Sequence, residues 1–203
     1  AGVVDDWLDD LFDGRLTSAH AVGETSAASD EPAADGSVWS TILSRRDDQR
    51  EAFVDLATGD SITFAELAQR VEGVAVELIR RGMQRGDRVA MLTPPGVDLV
   101  AAVYGVWRAG GVTVIADRGL GLQGLGRAVR STRPSWVIGP NRALAASTAL
   151  RWAPRATRLD VAELVGAASG ELPPQPSGDD LAAVLFTSGA TGPAKGVQYL
   201  HRQ

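Results

Sequence analysis

The stretch "RVAMLTPPGVDLVAAVYGVWRAGGVTVIA", Arg88–Ala116, sets the fold class. Two short apolar runs, "RVAMLT" and "VTVIA", flank a longer run whose apolar residues recur at helical spacing. Pro95 stands near the start of that run and glycines close it, the usual asymmetry of helix ends. Strand, helix and strand in about 30 residues is a βαβ unit, which requires a parallel pair of strands. The same alternation extends both ways. "SVWSTILSRR" reads as a helix capped near Ser37, and "EAFVDLA" as a strand. Thr63 with Glu66 three residues on is a capping box for the helix "FAELAQRVEGVAVELIRRG". Downstream come "LQGLGRAVRSTRP" as a helix stopped before Pro134, "SWVIG" as a strand, "RALAASTALRW" as a helix and "TRLDV" as a short strand. After the proline-rich "ELPPQPSGDD" comes the apolar strand "LAAVLFT". The predicted class is α/β, with alternating strands and helices around a mostly parallel sheet.

Composition narrows the chemistry. The 203 residues contain no cysteine, which excludes disulfides, thiolate catalysis and cysteine-ligated metal. Two histidines, His20 and His201, do not make a histidine metal cluster. No apolar run is long enough to span a membrane. The N-terminal residues are acidic and lack the basic start of a signal peptide, so a cytoplasmic location is expected. A net charge of −5 argues against a general nucleic-acid role.

Charge is unevenly placed. Residues 1–37 carry nine acids and one arginine, whereas residues 118–159 carry eight arginines and no acid. The arginines read first as solvated helix faces, with an anion or acidic partner as the second reading. In "VVDDWLDDLF", Val4, Trp7, Leu8, Leu11 and Phe12 form one apolar helical stripe backed by aspartates. Residues 1–37 are thus expected to form an acidic amphipathic helix plus a flexible linker, ahead of the domain at 38–203. The helix either folds back on its own domain, the favoured reading, or docks a partner.

Three motifs mislead. "RGD" at Arg85–Asp87 lies between a helix end and a strand and reads as a turn. "GLGLQG" at Gly119–Gly124 matches a dinucleotide fingerprint, but no acid follows until Asp160, so it reads as a glycine-rich βα turn. The third candidate is a Walker-type loop at Gly189–Gly196. It lacks the glycine before the lysine and the hydroxyl after it.

That last stretch, "LFTSGATGPAKGVQY", is nevertheless built for phosphate. Glycines permit close backbone approach, successive N–H groups can form an anion nest, hydroxyls add donors, and Lys195 is the only lysine in the chain. It resembles the phosphate loop of the adenylate-forming enzymes: acyl-CoA synthetases, luciferases and peptide-synthetase adenylation domains. "ITFAEL", "GMQRGDRVAMLTPPGVDLVAAVYGVWRAGGV" and "LAAVLFTSG" resemble successive landmarks of the same N-terminal region, so the likeness covers about residues 38–203. "PPGVDL", "VWRAGGVTVIADRGLGLQGLGRAVR", "VIG" and "FTSGATGPAKGVQYLHRQ" are closer still to the olefin-pathway β-lactone synthetases. Ala190, where the wider family usually has Ser or Thr, fits that subgroup.

The resemblance implies an ATP- and Mg2+-dependent ligase that activates a carboxylate as its acyl adenylate. Thr187, Ser188, Gly189, Thr191, Gly192 and Lys195 would hold the phosphates. The substrate would be a long-chain β-hydroxy acid closed to a β-lactone, with thiolase-like, reductase and hydrolase enzymes of the same pathway as partners. The alternatives are a long-chain acyl-CoA or acyl-AMP ligase, or a non-catalytic binding or assembly module retaining the loop. In the family the adenine pocket, the magnesium-binding acid and the catalytic lysine come later than the equivalent of Gln203. No catalytic or metal residue is therefore expected within 1–203, and this stretch alone is expected to be inactive. A strand deprived of later neighbours would leave apolar surface and favour self-association. His201, in a position where the family commonly has histidine, is expected to pack or hydrogen-bond behind the loop rather than to catalyse.

Overall fold

The computed structural model describes residues 40–54, 59, 61–166, 170–172, 174–186 and 195–203. The expected N-terminal helix and linker lie outside these. The described elements are α1 (Ser40–Leu43), β1 (Glu51–Val54), β2 (Ser61–Thr63), α2 (Phe64–Arg80), β3 (Arg88–Met91), α3 (Val97–Arg108), β4 (Val112–Ala116) and a 3-10 turn at Arg118–Leu120. Then follow α4 (Gly121–Thr132), β5 (Trp136–Gly139), α5 (Asn141–Ala149), β6 (Thr157–Asp160), α6 (Val161–Val165), β7 (Leu181–Phe186) and β8 (Gly196–Leu200). The expected α/β class is the observed one.

The main sheet has the order β6-β5-β3-β4-β7-β8, parallel except for β8, which runs antiparallel to β7. From β3 the chain steps one way to β4, then crosses back past β3 to β5 and on to β6, and finally returns to β7. Parallel crossovers are right-handed. Steps in opposite directions therefore put their helices on opposite faces. The cores agree with this. Val89, Met91, Trp136 and Ile138 pack against α2, α3 and α6. The alternate residues Ala90, Leu92 and Val137 pack against α4, α5 and Trp152.

A two-stranded ribbon, β1–β2, stands apart from the main sheet, beside the helical layer. Ile42, Leu43 and Ile62 pack there against Leu67, Val71 and Ala101. The predicted first helix is shorter than read at its C-terminal end. From Ser44 the chain turns, with the Arg45 N–H donating to Ile42 O at 3.0 Å and Arg46 Nε donating to Leu43 O at 3.3 Å.

The Thr63 capping box is present. The Glu66 N–H donates to Thr63 Oγ1, and the Thr63 N–H donates to Glu66 Oε2. At the other end of α2, Glu77 accepts from Arg80 Nη2 at 2.7 Å and Arg81 Nε at 2.6 Å. The Arg80 and then the Arg81 hydrogen bonds hold its carboxyl at about 2, below its ordinary 4.5. A depressed carboxylate stabilises the fold above its unfolded pKa, and that contribution fades as pH falls through the folded one. Acid titration followed by circular dichroism is therefore expected to show Glu77→Gln converging with the parent between pH 4.5 and about 2. A constant gap over that window would remove Glu77 from the acid transition.

The "RGD" turn is structural. Gly86 takes a φ of 84° and its N–H donates to Gly110 O, which ties this turn to the one that ends α3. Asp87 accepts from Trp136 Nε1 at 3.0 Å and Ser135 Oγ at 3.1 Å. "GLGLQG" spans the 3-10 turn and the start of α4, as a βα connection. Asp160, the first acid after it, caps α6 through Ala162 N and also accepts from Asn141 N. That leaves it in a helix-capping role.

Candidate functional site

β7 carries the chain to the edge of the sheet where the parallel strands end. Ligands of open α/β sheets bind at such carboxyl edges. Thr187, Ser188, Gly189, Thr191 and Gly192 lie outside the described residues, and both flanks of their segment are defined. Phe186 pairs with Gly196 in the β7–β8 ladder and with Ala116 at the end of β4. Its carbonyl accepts the Asp117 N–H at 3.0 Å. Lys195 is exposed immediately before β8.

Gly196 is dictated by packing. A Cβ there would lie 2.8 Å from Phe186 Cζ and 2.9 Å from Val184 Cγ1. The ring of Phe186 thus fixes the backbone that presents Lys195. Asp117 lies on the same rim, where its Oδ1 accepts from Gly119 N at 2.6 Å. Sequence reading gave Asp117 no role. The parallel pairing of β4 with β7 is what brings it to this rim.

The opposite end of β7 is anchored by buried groups. The register breaks between Leu181 and Ala183. There the Ala182 carbonyl accepts from Trp107 Nε1 at 2.8 Å and from Thr113 Oγ1 at 3.3 Å. Trp107 Nε1 is also 3.1 Å from Thr113 Oγ1. Trp107→Phe keeps most of the ring and deletes the donor. It is expected to cost about 1–2 kcal/mol, because the Ala182 carbonyl loses the shorter of its two side-chain donors. Urea unfolding measures this, and an unchanged midpoint would show that the Thr113 hydroxyl suffices.

His201 is 1% exposed and meets the Trp107 ring edge-on at 6.2 Å between centroids. The packing role expected of it is the observed one, but its location differs. Since β8 runs away from the loop, its last residue Leu200 lies about 14 Å along the strand from Gly196, at ~3.4 Å per residue, and His201 follows it. It closes the base of the β7–β8 pair, where its N–H donates to Asp180 O at 3.0 Å. Burial pushes the Asp180 carboxyl up, but Arg85 and the Ser177 N–H outweigh it and leave the pKa below the ordinary range.

Among the described residues no group of three or more His, Asp or Glu could hold a metal ion. The magnesium implied by resemblance finds no ligand set there. A depression of about 390 Å³ lies elsewhere, against the first turns of α2, lined by Arg46, Asp47, Gln49, Glu66, Gln69 and Glu72 among others. It is far from the strand edge in topology and carries none of the loop residues. No described helix is long and apolar enough to cross a membrane.

The chain belongs to the AMP-binding enzyme family, whose model matches residues 42–203. It is 33% identical over 156 residues to the olefin beta-lactone synthetase of Xanthomonas campestris, covering 70% of this chain and 28% of that protein. It is 34% identical over 189 residues to the phenyloxazoline synthase MbtB of Mycobacterium tuberculosis, covering 92% of this chain and 12% of that one. The fold matches the crystal structure of ATP-bound MatB from Rhodopseudomonas palustris with a TM-score of 0.71 and 29% identity, over 82% of this chain and 35% of that chain. The chain therefore spans about a third or less of the length of each of these proteins.

Proposed function

We propose that residues 38–203 are the phosphate-side part of an enzyme that activates a carboxylic acid with ATP. The observation that carries this reading is the strand-to-loop unit Leu181–Lys195. Its flanks are locked at the carboxyl edge of the sheet by Phe186 and Gly196, and the chain's only lysine stands exposed at its end. Thr187, Ser188, Gly189, Thr191 and Gly192 complete the phosphate loop. In the reaction, a carboxylate oxygen attacks the α-phosphorus of ATP. The bond from that phosphorus to the bridging oxygen breaks, and pyrophosphate leaves with the electron pair. Donors placed on the β- and γ-phosphates stabilise the charge that builds there.

The substrate in this reading is a long-chain β-hydroxy acid. Its hydroxyl oxygen attacks the acyl carbon of the adenylate, the acyl–AMP bond breaks, the hydroxyl proton is lost and a four-membered lactone closes. The likeness to the Xanthomonas campestris synthetase supports this over transfer to a thiol. Mg2+ would neutralise phosphate charge when bound. Thiolase-like, reductase and hydrolase partners would make and consume the acid and lactone.

The test begins with the intact mass of the native protein. ATP–pyrophosphate exchange is then measured with β-hydroxy and plain fatty acids, on that protein and on the 203-residue chain. Exchange by a longer protein, selective for β-hydroxy acids and absent from the 203-residue chain, is expected. Exchange with plain fatty acids alone would favour an acyl-CoA or acyl-AMP ligase. No exchange with any acid would leave a binding module.

A further inference from the structure

The charge asymmetry of the sequence acquires a location in the fold. Arg127 and Arg130 lie on one side of α4, and Arg133 follows at its end; all three are exposed. Arg151 and Arg155 are exposed in the turn after α5, on either side of the buried Trp152. That turn lies directly on α4: a Cβ on Gly126 would come within 2.6 Å of Trp152 Nε1. The two groups of arginines therefore share one surface. None of the five makes an ion pair with a described residue, whereas Arg80, Arg81, Arg85 and Arg202 on other surfaces all do.

The backbone adds a second observation. Among the described residues, Arg133 and Arg151 are the non-glycine positions with positive φ, at 48° and 52°. Both follow helix ends, where Gly or Asn is the usual choice. Left-handed geometry costs a side chain of this kind about 1 kcal/mol or more. Two arginines occupy such places on a surface where none of the five has an ion-pair partner among the described residues. Arg158, by contrast, is committed inward, bonding Ala153 O and Ala156 O at 2.9 Å each.

We infer that this arginine surface on α4 and the 151–155 turn receives the chain's own acidic N-terminal segment, residues 1–37. Nine carboxylates in that segment face a surface whose sequence, from 118 to 159, contains no acid. Arginine also stacks on aromatic faces, and Trp7 and Phe12 sit among the aspartates. Tethering favours this occupant over a separate polyanion, because linked sites meet at an effective concentration near ~1 mM. A free polyanion meets a chain of net charge −5. About 27 residues separate Asp13 from Ser40, up to ~90 Å of chain if extended; because α1 packs on the α2–α3 side, the segment has to pass round an edge of the sheet to meet α4. The inference is independent of the proposed reaction.

The test uses the whole chain, which lacks cysteine and so accepts one nitroxide at Ser18→Cys. At low salt, paramagnetic broadening is expected on amides of α4 and residues 150–156 and not on α3. It is expected to vanish near 1 M salt, where the screening length falls to ~3 Å. Arg127→Gln/Arg130→Gln/Arg151→Gln is expected to abolish it while leaving the melting curve unchanged. Asp5→Asn/Asp6→Asn/Asp9→Asn/Asp10→Asn is expected to do the same without touching any described residue. Broadening elsewhere, broadening insensitive to both sets, or none at low salt would overturn the inference. So would broadening that appears only between labelled and unlabelled copies, or persistence of all signals while a nucleic acid or acidic peptide takes the surface.

Discussion

Gly105→Ala is expected to lower stability by about 2 kcal/mol, although the same exchange in an ordinary helix raises it by about 1 kcal/mol. Gly105 lies in the third turn of α3, where that helix packs on α2. A Cβ there would be 2.5 Å from Val74 Cβ and 3.2 Å from Val71 O. Val74 and Val71 are both fully buried, so neither has space to yield. The helices must separate, and the core they share with β3 and β5 must open with them. Gly105→Val is expected to cost about 3 kcal/mol or more, which at 2–4 °C per kcal/mol is a shift of roughly 6–12 °C. The double variant Val74→Ala/Gly105→Ala separates contact from other causes. Removing the Val74 methyls, of which Cγ1 stands nearest the added Cβ, is expected to recover part of the loss while the 2.5 Å contact with Val74 Cβ remains, giving a favourable coupling between the two sites. Additive losses, or a neutral Gly105→Ala, would show that the helices do not approach so closely.

Gly105 also shows what the sequence concealed. Within "VDLVAAVYGVWR" it reads as a mild helix weakener, and only the crossing of α2 and α3 gives it a function. Elements with long periodic patterns were legible: α2 with its capping box, α3, β3 and β4. Three short ones were not. β2 is three residues with one buried apolar side chain, Ile62. α6 is five residues, too short to display a helical period. β8 is exposed along Gly196–Tyr199, so it has no buried face to betray it. Its presence changes an expectation. The strand that leads into residues 187–194 is not left as an edge, because β8 covers it. The exposed apolar residues Val197 and Tyr199 belong to β8 instead. Strand order was equally hidden, since the return of the chain past β3 depends on helix faces several elements apart. The chemistry proposed for the loop comes from the sequence alone, because glycine, hydroxyl and a single lysine have few uses together. The rim on which it stands was not, because Asp117 and Phe186 are 69 residues apart in sequence and meet only through the β4–β7 pairing.

Under the proposed reaction, Lys195→Ala in the exchange-active protein is expected to reduce ATP–pyrophosphate exchange about 100-fold, the usual loss when one donor to a developing anion is removed. The loss arises at the phosphates. Breaking the α-phosphorus bond moves charge onto pyrophosphate, and an ammonium on that group stabilises the transition state more than bound ATP. The fall is therefore expected in kcat as well as kcat/KM. Lys195 is exposed and precedes the strand, so the substitution is expected to change stability by less than about 0.5 kcal/mol. That separates it from Gly196→Ala, whose added methyl would strike the Phe186 ring and disturb the strand itself. Lys195→Arg keeps the charge, but a planar fork replaces a compact ammonium, and it is expected to recover only part of the rate. If Lys195→Ala exchanged pyrophosphate at the parent rate, the lysine would carry no phosphate charge. The reading of Leu181–Lys195 as a phosphate loop would then rest on its backbone and hydroxyls alone. A loss in Lys195→Ala that Lys195→Arg restores completely would point to charge without directional bonding, a distant field rather than a contact.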